Sequence, residues 1–103
     1  MIFGPRLAGV ISAQLDLFER EHGGLIRDCD VAERAYDEAP REEAEERYGD
    51  YLDLVETGTE ILAELRDNYA RALPEDVSDR YASAFNRAVV KRLPRFALEL
   101  DSH

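Results

Sequence analysis

From Ile11 to Tyr36 the chain keeps a heptad rhythm. Ile11, Leu15, Phe18, His22, Leu25, Cys29, Ala32 and Tyr36 follow one another in steps of 4, 3, 4, 3, 4, 3 and 4. Such spacing lines one face of an α-helix and cannot line one face of a strand, whose period is 2. The rhythm runs through Gly23-Gly24 without a slip, and this predicts one helix over 5–38. Each interior glycine then costs about 1 kcal/mol. Pro5 suits the first helical position, where its missing N–H is no loss.

A second seam repeats the pattern: Ala44, Tyr48, Tyr51, Val55, Gly58, Leu62, Leu65, Tyr69 and Ala72. It predicts a helix over 41–73, opened after Pro40 and stopped at Leu73-Pro74. Glu42, Glu43, Glu45 and Glu46 sit at its positive end, where the helix dipole favours them. A short turn makes these two helices antiparallel neighbours. Folding about Pro40 sets Tyr36 against Ala44, Ala32 against Tyr48, Cys29 against Tyr51 and His22 against Gly58. Each of these layers pairs a bulky with a small residue, as an interdigitated core requires. Val77, Tyr81, Phe85, Val89 and Leu93 predict a third helix over 75–93, ended by Pro94. Phe96, Leu98 and Leu100 form a short apolar tail. The expected fold is therefore all-α: a long antiparallel two-helix hairpin plus a shorter third helix, one domain over 1–103.

A third helix of that length covers only the half of the hairpin near the termini. The far half keeps Val31, Tyr36, Tyr48 and Tyr51 without a partner. Uncovered apolar surface of this kind tends to be an association site. The sequence thus predicts a homodimer through these residues, two-fold and isologous, assembled as a dimeric helical bundle.

The chain has 103 residues, 45% of them hydrophobic, so it is not disordered by composition. Cys29 is its single cysteine, which excludes an intrachain disulfide and fits a reducing cytoplasm. The apolar run Leu7–Ile11 is too short for a signal peptide, and no run reaches the ~20 apolar residues of a membrane span. The net charge of −10 is uneven: −4 over 1–40, −6 over 41–73 and zero over 74–103. One lysine stands against 12 arginines. An acidic, lysine-poor surface would suit a salt-rich cytoplasm and a halophilic source, although a high-GC codon bias would also give many Arg and Ala.

Motifs for chemistry are scarce. The sequence holds no phosphate-binding loop, dinucleotide fingerprint, H-E-x-x-H, paired C-x-x-C or G-x-S-x-G elbow. Acid–base or nucleophilic catalysis would have to centre on His22 or on carboxylates alone, since His103 is the last residue. The expectation is a non-enzymatic protein that needs no cofactor.

The one metal-like spacing is Glu19-x-x-His22. Ferritin-like di-iron bundles use E-x-x-H on some helices and a lone Glu on others, and to that extent the chain resembles a minimal two-helix ferritin-like protein. The resemblance implies a divalent metal held by Glu19, His22 and a second-helix carboxylate, Glu56 or Glu60. Heptad geometry sets Glu60 on the opposite face and Glu56 off the seam. The alternative is a core histidine accommodated by Gly58, with Thr57 or Thr59 as hydrogen-bond partner. Cys29 reads as a small buried hydrophobe, flanked by Asp28 and Asp30 rather than by the cations that activate a thiol.

The third helix and its end carry Arg80, Arg87, Lys91, Arg92 and Arg95, with no acid between Asp79 and Glu99. A basic helix can contact phosphates, which makes a nucleic-acid-associated factor a further alternative. The strongly acidic remainder argues against it, because a polyanion would be repelled. Lying against the acidic faces of its own hairpin accounts for the same cations.

Overall fold

The computed structural model describes residues 3–97, and side chains from Arg6 onward. Among the described residues every regular element is helical. Four α-helices, α1 Phe3–Glu21, α2 Gly23–Asp37, α3 Ala44–Ala70 and α4 Glu75–Arg92, are joined by short connections. A 3₁₀ turn, Arg41–Glu43, leads into α3, and another, Pro94–Phe96, follows α4. The molecule measures 54 × 24 × 19 Å. Its radius of gyration of 15.8 Å exceeds the ~13 Å of a compact chain of this length. Leu98 and Leu100 of the expected apolar tail lie outside the described residues.

The single helix expected over 5–38 is two helices. His22 leaves helical geometry (φ −119°, ψ 27°) and separates α1 from α2. The axis is kinked rather than cut. His22 N–H still donates to Phe18 O at 2.8 Å, and Ile26 N–H to His22 O at 3.1 Å. Gly23 and Gly24 supply the weakness, because residues without Cβ hold helical geometry least firmly. The seam also shifts by one residue here. Ile26 packs on the core, whereas Leu25, the heptad position, is only half-buried and lies outside the residues that do so. Cys29 then regains the buried face.

The kink redirects packing. α2 lies against α3: Tyr36 meets Tyr48 near the turn, ring centroids 5.1 Å apart. α1 instead makes its close approaches to α4, which also packs on α3. In the terminal half α4 thus shares the face of α1 that the expected side-by-side pairing gave to the second helix alone.

The core sits at the terminal end. Ile11, Leu15 and Phe18 of α1 face Tyr81, Phe85 and Val89 of α4, with Val55, Leu62 and Ala63 of α3 closing the third side. The α4 residues are spaced i, i+4, i+8 and are fully buried. Full burial of a Phe or Val side chain contributes about 1.5–3 kcal/mol. Polar groups in this core are satisfied. Tyr81 donates its hydroxyl to Gln14 Oε1 at 2.8 Å, tying α4 to α1, and Arg66 donates to Asn86 Oδ1 at 2.9 Å, tying α3 to α4. Burial pushes the Tyr81 hydroxyl up to about 12, since the charged phenolate would have to be desolvated.

Pro94 does more than end α4. Leu93, forced out of helical geometry by the proline ring after it (φ −133°, ψ 59°), turns the chain back across the bundle. Phe96 then enters the core, 1% exposed, edge-on to Phe18 with centroids 5.8 Å apart. It fills the notch left by Gly58, where a Cβ would lie within 3.0 Å of Cδ1, Cε1 and Cζ of its ring. Buried Thr59 fixes the backbone there, its hydroxyl donating to Phe96 O at 3.1 Å. The expected partner of Gly58, His22, is corrected accordingly: the glycine receives Phe96, and the half-buried His22 ring stacks obliquely on Phe18 at 5.2 Å.

Candidate functional site

The cations of the α4 stripe divide into two groups. Arg92 turns across to α1. Its Nη2 pairs with Asp16 and, at 2.6 Å, with Glu19 Oε1, while Nε donates to Glu19 Oε2 at 3.3 Å. These bonds, to Glu19 first and Asp16 second, raise its pKa further above the ordinary arginine range. Arg95 turns to α2. Nη1 meets Asp30 at 2.9 Å and Nη2 meets Glu33 at 2.8 Å, while Nε donates to the Tyr51 hydroxyl at 3.2 Å. Its guanidinium also stands over the Tyr51 ring, 5.7 Å from the centroid. Burial opposes its charge, but the bonds to Asp30, Tyr51 and Glu33 outweigh that and raise its pKa. Both arginines thus use the acidic faces of their own chain.

Among the described residues Arg80, Arg87 and Lys91 pair with no acid of α1 or α2. Arg80 makes a loose contact with Asp76, 3.7 Å on an exposed helix face, which contributes only a few tenths of a kcal/mol. Among the described residues Arg87 and Lys91 are in no ion pair. Together with the paired Arg92, these three line a groove of about 970 Å³ between α1 and α4. Its floor is apolar, and Asp79 is the one acidic side chain in its lining.

The metal-like trio is dispersed. Glu19 directs both carboxylate oxygens to Arg92. His22 packs on Phe18, and Glu56 is exposed on α3. Among the described residues no group of three or more His, Cys, Asp or Glu side chains is gathered where it could hold a metal ion. Cys29 is fully buried, and burial raises its thiol pKa against the lowering effect of nearby Arg95, with Asp30, Asp28 and Glu33 adding to the rise.

At the far end Tyr36, Tyr48 and Tyr51 form a ladder of rings, with Tyr48 and Tyr51 centroids 6.5 Å apart. Val31 is 56% exposed and Tyr48 44%, with Tyr36 also exposed, whereas Tyr51 is half-covered by Arg95. A smaller depression beside this ladder is lined by Val31, Ala32 and Leu54 with Asp28, Arg47 and Asp50.

Comparison with protein-family models, with curated proteins and with solved structures returned no match. Among the described residues no helix is long and apolar enough to cross a membrane.

Two functional features escape the sequence pattern. The α1–α4 groove requires knowing that α4 packs beside α1, which no periodicity encodes. The separation of Arg95 from the other cations depends on the turn at Leu93-Pro94, and the proline was its only signal.

Proposed function

We propose that the protein is a non-enzymatic helical interaction or regulatory module that works as a two-fold homodimer. In this reading α1–α2 and α3 act as a long hairpin, and two hairpins assemble into a dimeric helical bundle through the half far from the termini. The observation that carries it is the exposure of Val31, Tyr36 and Tyr48 where only two helices are stacked. Exposed aromatic side chains of this kind are the usual anchors of protein interfaces. Tyr51, held under Arg95, would form the edge of the contact. The unpaired, buried cysteine is in keeping with a reducing cytoplasm.

Native mass measurement tests the reading. The wild-type chain is expected at twice its 11.7 kDa. Tyr36→Glu/Tyr48→Glu is expected to run as a monomer with unchanged helical circular dichroism, since both residues are exposed. A wild-type monomer at micromolar concentration contradicts the dimer.

A further inference from the structure

We propose that the groove between α1 and α4 receives an acidic amphipathic helix of a partner protein. This names a partner for the interaction-module reading and rests on it, but uses a different surface from the dimer contact.

The floor is built by Leu7, Ile11 and Leu15 of α1 with Val77, Ala84 and Ala88 of α4. The lining between is small, Ala8 and Ser12 on one wall and Ser83 on the other, and small residues are what let a third helix approach within the ~8–10 Å of packed helices. On α4 the lining runs from Val77 to Arg92, about 22 Å at 1.5 Å per residue, which matches a docking helix of about 15 residues.

Charge selects the occupant. Arg80, Arg87 and Lys91 follow at i, i+7 and i+11, one stripe along the rim. Arg87 and Lys91 are in no ion pair among the described residues, on a chain whose net charge is −10. Two copies set groove to groove would bring these cations together, which disfavours self-pairing here. A nucleic acid would meet the rim but not the apolar floor, and would be repelled by the rest of the surface. An amphipathic helix with carboxylates flanking an apolar stripe satisfies floor and rim at once.

Fluorescence anisotropy of a labelled 15-residue peptide tests this. The peptide carries Leu and Ile on one helical face with Glu on both flanks, and a control carries Lys in place of Glu. The full chain is expected to bind the Glu peptide and not the Lys peptide. Arg87→Glu/Lys91→Glu should weaken the Glu peptide about tenfold or more and admit the Lys peptide, because each reversal turns an attraction into a repulsion. Ser83→Trp, at an exposed position, should block binding by filling the groove while leaving circular dichroism unchanged. Equal binding of both peptides, no binding of either, or undiminished binding by the reversed variant overturns the proposal. So does binding to phosphatidylglycerol vesicles or duplex DNA without binding of the Glu peptide. The native mass of the same samples separates the two readings. A monomer that binds the Glu peptide refutes the dimer and keeps the groove, and a dimer that binds neither peptide does the reverse.

Discussion

The terminal half and the far half of this molecule use similar residues to opposite effect. Tyr81 at the terminal end is fully buried between three helices, while Tyr48 at the far end is 44% exposed on two. Gly58, at the border, is sealed by a phenylalanine ring, while Gly24, in the joint between α1 and α2, has only the end of a flexible Arg27 side chain near its Cα, at 4.0 Å from where a Cβ would stand. The difference comes from one element. α4 and the turn after it complete the core on one side of the joint, and Arg95 of the same segment reaches across to Asp30, Glu33 and Tyr51 on the other. Helix periodicity marks which face is apolar, but the number of helices sharing that face decides whether it is buried.

The comparison breaks most visibly at Phe96. Phe96→Ala removes a ring that seals the border between the halves, and is expected to cost about 3–5 kcal/mol in urea unfolding. A loss below about 1 kcal/mol would mean that the terminal core closes without it.

The buried tyrosine gives the next largest effect. Its native pKa of about 12 lies above the unfolded value near 10, so the folded state holds the proton more tightly. The resulting stabilisation is complete below pH 10 and fades as pH rises toward 12, by about 3 kcal/mol at most. Tyr81→Phe should be less stable at neutral pH by about 1 kcal/mol, through the lost bond to Gln14, and should lose less stability than wild type between pH 10 and 12. Parallel alkaline unfolding curves for the two proteins would count against a buried hydroxyl.

Arg95 is the tie between halves. Arg95→Ala should cost about 1–2 kcal/mol, since three partners are lost but all are partly solvated. The loss should shrink in molar salt, as screening predicts. The smallest effect has the opposite sign. Gly24 has helical backbone geometry with no positive φ, so Gly24→Ala should stabilise by about 0.5–1 kcal/mol through the unfolded chain. A destabilised Gly24→Ala would show that the kink itself is required.

Much of this fold is legible in the sequence. The apolar spacings around Ile11–Phe18, Val55–Leu62 and Tyr81–Val89 mark the buried faces, and the starts after Pro40 and Pro74 mark two helix entries. What the spacing could not convey is direction. The heptad through Gly23-Gly24 is in phase on paper, but the two glycines let the axis bend, and Ile26 replaces Leu25 on the core side. Gly58 signalled a close approach, yet nothing local distinguishes an incoming His22 from an incoming Phe96. That choice was made by Pro94, which turns the tail back, and by the Thr59 hydroxyl that holds it. At the candidate sites the residue types were visible, but their partners are long-range: Glu19 waits for Arg92, 73 positions away, and Glu33 for Arg95, 62 positions away.

The central claim, that Phe96 occupies the space Gly58 leaves, is tested most directly by a double-mutant cycle of Gly58→Ala and Phe96→Ala followed by urea unfolding. In the presence of Phe96, Gly58→Ala should cost about 1–3 kcal/mol, because the added methyl collides with the ring. With alanine at 96, the same change should be neutral or stabilise by up to about 1 kcal/mol, the ordinary gain of alanine over glycine inside a helix. An equal cost of Gly58→Ala in both backgrounds would contradict the account.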